Sequence, residues 1–402
     1  MSAVLINALA STAGGGITYL RNVLPRLGNS AEHHYTVFVP PEHVNNYAPL
    51  AGNRVSLETS PAVGTMARMW WEQTALRSLL KARRMDVLLS LGNFAMLRSP
   101  VPQILFNRND LYFSPEFTAD LQRRKLHKLL FAHRTKSWLA RQSIKQATIN
   151  LAPTTAFANR IKATEGLRKI KVEALRFGFD AEGFKADQTP LPDALLAKLN
   201  LNPNCRRLLY VSHYNYFRNF ETLIRALPVI KSKLQAHGQD VQLVLTTDIR
   251  RGAVYGDYDA TAAARLIDLL AVRKDIAMLG AVEPGKLHRL YPLCDAFVCP
   301  SYAESFGHPL VEAMASGVPV IAANLPVHRE ICEGAAVYFN VFNEVELTEQ
   351  CLRVLTDQGL SERLRVTGVE RSRTFSWDEH VRGLESLIAR IASVPRAVAS
   401  GA

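Results

Sequence analysis

The chain has 402 residues, a length that suits two α/β domains of ordinary size better than one hydrophobic core. Hydrophobic residues make up 48% of it and charged residues 21%, which is typical of a folded protein and excludes a disordered one. The net charge of +12 predicts attraction to anions, but it does not choose among nucleic acid, acidic lipid and a phosphorylated substrate.

Short β-branched apolar runs alternate with longer helical patterns along the whole chain, which is typical of parallel sheets flanked by helices. In the first half we predict strands at residues 3–9, 35–39, 87–90, 103–106, 148–151 and 172–176. In the second half we predict strands at residues 207–211, 241–246, 276–279, 296–299, 318–322 and 336–339. Two doubly wound α/β domains are the simplest interpretation.

A polar segment with two prolines, residues 186–193, suits an exposed connection between the two series of strands. We place the first domain at residues 1–182 and the second at residues 183–377. The final predicted helix, residues 378–402, lies too far from the last strand for its pattern alone to assign it to either domain.

The first predicted strand ends in three glycines, Gly14, Gly15 and Gly16, and a helix is predicted to follow. Glycines at such a turn let backbone N–H groups approach a phosphate, and the helix N-terminus adds partial positive charge. The spacing is not that of a dinucleotide site, and a tight turn that needs positive φ is the structural alternative. We predict Gly15 and Gly16 as phosphate-binding residues.

The segment at residues 300–320 runs from a predicted strand through a small-residue loop into a helix near Pro309. Such a loop directs N–H groups and a helix dipole to the edge where open α/β sheets bind anions. Glu304 lies in the loop and Glu312 on the second helical turn, so each could face one end of an extended ligand. Alternatively, Glu304 caps the helix and Glu312 lies on a solvated face.

Residues 300–320 resemble the signature of glycosyltransferase family 4, in which two glutamates with seven residues between them flank a Phe-Gly-x-Pro loop. The resemblance implies a GT-B fold, with two Rossmann-like domains facing across a cleft, and a retaining transfer from a nucleotide-diphosphate sugar. It also implies that Glu304 contacts the donor sugar and that Glu312 holds the ribose. The loop residues that it assigns to the phosphates and sugar are Ser305, Phe306, Gly307 and His308.

His308 departs from the family, which usually has a leucine or a similar residue there; the change could alter sugar preference or be without consequence. The resemblance continues in residues 171–184, which look like the family's Gly-Val-Asp-x-x-x-Phe element, and in Phe375 and Trp377. In GT-B enzymes the final helix packs back on the N-terminal domain, so we expect residues 378–402 to do so.

The turn after predicted strand 207–211 carries His213 and Arg218, where the family has an arginine and, five residues later, a lysine that neutralise the diphosphate. Arg218 keeps a fixed charge and can hold two phosphate oxygens, so we predict it as donor-binding and catalytic. His213 is charged only part of the time near pH 7, so a donor contact competes with a neutral histidine bonded within the turn.

Predicted strand 103–106 leads to Asn109 and Asp110, where related enzymes commonly have His-Asp-Leu. An amide can bond a sugar hydroxyl but cannot transfer a proton, which excludes a histidine base at this point. We predict Asn109 as donor-binding and Asp110 as catalytic, and a plain turn is the alternative.

Asp257 and Asp259 have the Asp-x-Asp form that holds a metal in another glycosyltransferase architecture, but Asp259 precedes predicted helix 260–271 and suits its N-cap. GT-B enzymes generally need no metal, so we expect neither a metal nor a cofactor beside the nucleotide-sugar substrate. The five cysteines are odd in number and lack Cys-x-x-Cys spacing, which argues against disulfides and a zinc site.

Residues 121–145 are rich in lysine and arginine, contain no acidic residue and carry Phe131 and Trp138 at broadly helical intervals. A basic amphipathic helix is typical of a surface for anionic lipid or an acidic acceptor. The alternative is a solvated helix with Trp138 in the core of the first domain. We expect no nucleic-acid partner, because no recognised nucleic-acid module accompanies the charge.

These features predict transfer of a hexosyl or deoxyhexosyl group, of mannose or rhamnose type, to a glycan or lipid-linked acceptor. A sugar-nucleotide epimerase or phosphorylase is one alternative. A non-catalytic glycan- or lipid-binding protein is another, favoured by His213 and Asn109 and disfavoured by Glu304, Glu312 and Arg218. The sequence shows neither a membrane-spanning stretch nor a secretion signal, so we expect a cytoplasmic protein, with contact to the inner membrane face left open.

Overall fold

The computed structural model describes residues 1–12, 14–61 and 64–393. The chain divides into two compact units. Unit 1 comprises Met1–Phe113, Phe131–Gly178 and Ser376–Ala402, and unit 2 comprises Ser114–Leu130 and Phe179–Phe375. The segment Ser114–Leu130, expected in the first domain, therefore packs within unit 2. The last part of predicted helix 378–402, residues 394–402, lies outside the described residues.

Unit 1 is built on a parallel sheet in which seven strands are described, in the order β3-β2-β1-β4-β5-β6-β7. Its strands are β1 (Ser2–Asn7), β2 (His33–Phe38), β3 (Val55–Glu58), β4 (Val87–Ser90), β5 (Gln103–Phe106), β6 (Ile149–Ala152) and β7 (Val172–Ala174). Every residue of β4, β5 and β6 is buried, which explains their continuous apolar sequences. The edge strand β3 was not predicted, because it alternates in polarity and buries only Val55.

Unit 2 contains a parallel sheet described with six strands, in the order β12-β9-β8-β13-β14-β15, and a short antiparallel hairpin of β10 and β11. The strands are β8 (Cys205–Tyr210), β9 (Asp240–Leu245), β10 (Val254–Tyr255), β11 (Tyr258–Asp259), β12 (Ile276–Met278), β13 (Ala296–Cys299), β14 (Val320–Ala323) and β15 (Ala336–Phe339). The strand order reverses between β8 and β13, as it does between β1 and β4 in unit 1. Ligands of open α/β sheets bind beyond the carboxyl ends of the strands at such switch points.

Helices connect the strands in both units. They are α1 (Gly15–Asn29), α2 (Val44–Tyr47), α3 (Thr65–Gln73), α4 (Ala75–Ala82), α5 (Pro115–Arg123), α6 (His127–Gln146), α7 (Thr155–Ala163), α8 (Ala181–Phe184), α9 (Asp193–Leu196), α10 (Phe220–Gln235), α11 (Thr261–Leu269), α12 (Leu287–Leu290), α13 (His308–Ala315), α14 (Pro326–Cys332), α15 (Glu344–Thr356), α16 (Gln358–Ser372) and α17 (Trp377–Ala392). The register in both main sheets is parallel throughout, so the helices that lie between strands of the same sheet serve as crossovers.

Helix α17 packs within unit 1, where it contacts α1. The His380 ring lies 3.1 Å from Tyr19 Oη through Nε2 and 3.0 Å from the Arg176 carbonyl oxygen through Nδ1. Burial lowers the pKa of His380 to about 4, so the ring is neutral near pH 7 and bridges Tyr19 and the Arg176 backbone. Gly178 allows the chain to pass Trp377 closely, because a Cβ at Gly178 would lie 2.1 Å from the Trp377 nitrogen.

The basic segment at residues 121–145 is not one helix, so this prediction was wrong. Helix α5 ends at Arg123 and α6 begins at His127, and between them Lys125 has a left-handed φ of 57°. The alternative that placed Trp138 in the core is also wrong, because Trp138 is 59% exposed.

Candidate functional site

Two loops of unit 2 leave the sheet on either side of its switch point. The Arg218 turn, residues 211–219, follows β8, and the Glu304 loop, residues 300–307, follows β13. The Tyr302 N–H donates to the Phe217 carbonyl oxygen at 3.0 Å, so the two loops are hydrogen-bonded to each other. Residues far apart in the sequence are therefore held together at the edge where such sheets bind ligands.

Arg218 and Glu304 form an ion pair between Nη1 and Oε2, with side chains 19% and 12% exposed. Burial raises the pKa of Glu304, but the charges of Arg218 and His328 and the hydrogen bonds from Arg218 and Ser305 together lower it below its usual value. Burial likewise lowers the pKa of Arg218, but Glu304 raises it above its usual value. Both groups are therefore charged near pH 7, and an incoming phosphate would compete with Glu304 for the guanidinium.

A cluster of polar side chains lies next to this ion pair. Ser301 Oγ lies 3.4 Å from Arg218 Nη1 and 2.9 Å from Tyr210 Oη, and Tyr210 Oη donates to the Arg218 carbonyl oxygen at 3.0 Å. Cys299 Sγ lies 3.7 Å from Ser301 Oγ and 3.8 Å from His328 Nε2. The sequence carries no signal for Tyr210, Cys299 and His328 as parts of this site, because a single polar atom in an apolar strand or helix shows no periodic pattern.

Glu304 does not cap the helix that follows it, so the alternative interpretation of this residue as a helix cap is wrong. The N-cap of α13 is Gly307, with no side-chain cap bond, while Glu304 Oε1 accepts from the Ser305 N–H at 3.1 Å. Gly307 has a φ of 89°, and a Cβ there would lie 2.9 Å from Leu310 Cδ1, so glycine is required at this turn. The loop thus directs the Glu304 carboxylate toward Arg218 rather than toward the helix.

Phe306 and His308 lie together on the predicted loop, with ring centroids 4.8 Å apart. Burial lowers the pKa of His308 to about 4, although the Glu304 charge opposes this. Its ring is therefore neutral near pH 7 and adds no positive charge for a phosphate.

Glu312 is half-buried on α13 and does not lie on a solvated face. Its Oε2 accepts from Tyr291 Oη at 3.0 Å. Burial raises the pKa of Glu312 to about 7, although the Tyr291 hydrogen bond lowers it. Glu312 therefore changes charge in the physiological range, unlike Glu304.

His213 lies on the Arg218 turn with its side chain exposed. Partial desolvation and the charge of Arg218 lower its pKa below the usual value. A neutral ring makes a weak phosphate ligand, so the geometry favours Arg218 as the cation of this turn.

The glycine-rich turn of unit 1 leads into α1, which begins at Gly15. Gly14 has a φ of 54°, so its backbone conformation favours glycine. A Cβ at Gly16 would lie 2.9 Å from Ser11 Cα, so close packing favours glycine there. Among the described residues, no heavy atom lies within 4 Å of a Cβ placed at Gly15. Gly15 is thus the glycine whose small size this unit's own packing does not explain.

Asn109 and Asp110 each have partners within unit 1. Asn109 Oδ1 accepts from the Leu111 N–H at 3.1 Å, which forms the turn considered as its alternative, and its own N–H donates to Asn93 Oδ1 at 3.0 Å. Asp110 is buried, and its Oδ2 forms an ion pair with Arg160 Nη1 at 2.9 Å. Their predicted donor-binding and catalytic roles stay predictions.

Asp259 lies one residue before the N-cap of α11, which is Ala260, and its Oδ1 accepts from the Thr261 N–H at 2.8 Å. Within the described ranges, no group of three His, Cys, Asp or Glu residues could hold a metal ion. In the same part of the chain, no helix is long and apolar enough to span a membrane.

Part of unit 2 is similar to a known family. Residues 193–371 match the family model described as glycosyl transferases group 1. An uncharacterized glycosyltransferase of Methanocaldococcus jannaschii is 31% identical over 180 residues, which cover 43% of this chain and 42% of the relative. The O-antigen chain mannosyltransferase B of Escherichia coli is 32% identical over 103 residues, which cover 26% of this chain and 27% of the relative. The chain thus matches less than half the length of these relatives.

Solved structures extend the likeness over the whole fold. The Anabaena protein HepE, crystallised in complex with UDP-glucose, superposes with a TM-score of 0.69 and covers 97% of this chain and 100% of its own. The identity is 16%, so this likeness concerns the fold. Residues 193–371 are thus similar to the group 1 glycosyltransferases, and the chain has the GT-B fold with two Rossmann-like sheets.

Proposed function

We propose that the chain transfers a glycosyl group from a nucleotide-diphosphate sugar to a glycan or lipid-linked acceptor, with retention of anomeric configuration. The observation that carries the proposal is the half-buried Arg218–Glu304 ion pair at the switch point of unit 2. Both residues lie inside the stretch that matches the family model.

The barrier to such a transfer is charge that develops on the leaving diphosphate and on the anomeric carbon. Arg218 supplies a fixed cation that can donate two hydrogen bonds to phosphate oxygens. The N-terminus of α13 adds partial positive charge beside it. These groups can neutralise a diphosphate without a metal ion, so we propose a metal-independent reaction in which Glu304 holds the sugar and Glu312 the ribose.

We propose mannose as the transferred sugar, or a deoxy sugar of related shape. The support is the mannosyltransferase activity in the name of the Escherichia coli relative. The UDP-glucose complex of the Anabaena protein supports a nucleotide-diphosphate sugar as the class of donor.

Thermal unfolding with a panel of UDP, GDP and dTDP sugars tests the donor class. A ligand at 100 times its dissociation constant should stabilise the protein by about 2.7 kcal/mol. Release of nucleotide diphosphate only when an acceptor is present supports transfer, whereas release without one indicates the epimerase or phosphorylase alternative. If no sugar nucleotide stabilises the protein, the proposed function is wrong.

We further propose that α6 brings unit 1 to an anionic membrane, on its cytoplasmic face. Phe131 and Trp138 are 75% and 59% exposed, and their spacing of two helical turns places them on one face. Arg134 and Lys145 are exposed on the same helix. Aromatic rings beside basic groups suit the interface of an acidic bilayer, where each basic residue contributes about 1 kcal/mol.

Sedimentation with vesicles of phosphatidylserine and phosphatidylcholine tests this surface. Replacing Phe131 and Trp138 by serine should reduce binding, and added salt should weaken the wild type, since exposed charges are screened over about 8 Å at physiological ionic strength. Leu269→Ser is the matched control, because Leu269 is an exposed apolar residue on α11 of unit 2. A wild-type protein that ignores these vesicles at low salt refutes the surface.

A further inference from the structure

The segment Ser114–Leu130, which we call the docked segment, belongs to unit 2, although the residues before and after it belong to unit 1. It begins with an N-cap, in which Ser114 Oγ accepts from the Phe117 N–H at 3.1 Å, and continues as α5. Phe117 meets Phe217 of the Arg218 turn, with ring centroids 6.1 Å apart. The docked segment therefore packs against a loop of the candidate site.

Asp120 ties this segment to the Glu304 loop. Its side chain is 2% exposed, and Oδ2 accepts from Tyr302 Oη at 2.8 Å and from Arg124 Nε at 2.9 Å. Burial and the Asp120 charge raise the pKa of Tyr302, so its hydroxyl keeps the proton that it donates. Tyr302 lies two residues before Glu304, and its hydrogen bond fixes the start of that loop.

Arg124 ties the same segment to the Arg218 turn. Its Nη2 forms an ion pair with Glu221 Oε1 at 2.9 Å, and its guanidinium carbon lies 4.4 Å from the centroid of the Tyr216 ring. Burial lowers the pKa of Arg124, but Glu221 and Asp120 raise it above its usual value, so the residue stays charged. Tyr216 lies two residues before Arg218, so one half-buried cation contacts the start of the second loop.

We propose that Asp120 and Arg124 are positioning residues that fix the spacing between the Arg218 turn and the Glu304 loop. Only the identity of what these loops bind rests on the proposed function. A buried carboxylate shared by Tyr302 and Arg124 leaves both donors unsatisfied when it is removed, so both loops should loosen together. Arg123 also pairs with Asp120, but it is 66% exposed and adds little.

The test compares Asp120→Asn, Tyr302→Phe and the double variant with the wild-type chain. Amide hydrogen exchange at residues 300–307 should become about tenfold faster in each single variant, in line with the loss of a hydrogen bond to a charged group, and exchange at residues 213–219 should become faster in Asp120→Asn, which also loses the contact with Arg124. The double variant should be little worse than Asp120→Asn, because that variant already loses the contact that Tyr302→Phe removes. Tyr302→Phe removes only the hydroxyl oxygen, so this variant should fold and can be measured even if Asp120→Asn does not fold.

Binding of UDP and GDP is the second readout, measured by thermal shift. The dissociation constant of whichever nucleotide binds should rise about tenfold in both single variants, for the same reason. Arg123→Gln should change it less than about twofold, as expected for an exposed pair. Asp275→Asn is the control for general destabilisation, because Asp275 is buried in unit 2 and forms an ion pair with Lys231.

Each outcome decides the proposal. Unchanged exchange in either loop of Asp120→Asn overturns it, as does faster exchange in both loops in Asp275→Asn. Faster exchange with an unchanged dissociation constant overturns the link to ligand binding. If the wild type binds neither nucleotide, the proposed function is weakened, and the exchange data alone still decide whether the docked segment holds the loops.

Discussion

Replacing Glu304 by glutamine tests the ion pair on which the proposed function rests. The change keeps the shape of the side chain but removes its charge. The hydrogen bond from Arg218 Nη1 to Ser301 Oγ, at 3.4 Å, does not involve Glu304 and should remain. Breaking a fully buried pair costs about 3–5 kcal/mol, and because these side chains are partly exposed we expect a loss of about 1–3 kcal/mol. A bound nucleotide diphosphate gives Arg218 a new anion, so the loss should shrink when the nucleotide is present.

Transfer should fall much more than stability. A hydrogen bond from a sugar hydroxyl to a charged group contributes about 1.5–3 kcal/mol, which corresponds to a rate loss of about 10- to 150-fold. Urea unfolding with and without nucleotide measures the first effect, and acceptor-dependent release of nucleotide diphosphate measures the second. Asp275→Asn is the matched control, expected to lose stability but keep turnover. Each factor of ten in rate corresponds to about 1.4 kcal/mol, so a turnover of Glu304→Gln within about twofold of the wild type would refute the role of Glu304.

Three further predictions address pH, packing and metals. The folded pKa of Glu312, about 7, exceeds its ordinary value of 4.5, so its stabilisation is fully present below pH 4.5 and is lost as the pH rises through 7. Urea unfolding at pH 5 and pH 8 should show that Glu312→Gln removes up to about 3 kcal/mol of this decline, and an unchanged decline contradicts the raised pKa. Gly178→Ala should destabilise the protein by about 1–3 kcal/mol in urea unfolding, because its Cβ would meet the Trp377 backbone, whereas Gly334→Ala, with open space around its Cβ, should be tolerated. Chelators should leave transfer unchanged, and activity lost in chelator but restored by magnesium or manganese would show that a metal is needed.

The strands of both sheets were predictable because of where they lie. A strand buried on both faces, such as β5 or β14, is a continuous apolar run bounded by turn residues, and the sequence displays that pattern directly. The edge strand β3 and the two-residue strands β10 and β11 lack that burial, so they leave no such pattern.

The pairings within the candidate site were not predictable in the same way. The Glu304 loop could be located from its own residues, but the ion pair with Arg218 depends on β8 and β13 being neighbours in the sheet. The contact between Asp120 and Tyr302 joins residues 182 positions apart, and no local pattern encodes it. The density of basic residues around Lys125 also hid the helix break there, because a lysine in a left-handed conformation has no sequence signal of its own.

The placement of the docked segment bears on how such proteins can exchange parts during evolution. Unit 2 is not encoded by one continuous stretch of sequence, because Phe131–Gly178 of unit 1 separates Ser114–Leu130 from Phe179–Phe375. A recombination event that replaced only residues 179–375 would exchange the partners of Asp120 and Arg124, which are Tyr302 and Glu221, but leave Asp120 and Arg124 unchanged. Chimaeras that also carry residues 114–130 from the same parent keep both sides of that buried network, and we expect them to be the ones that remain folded and active.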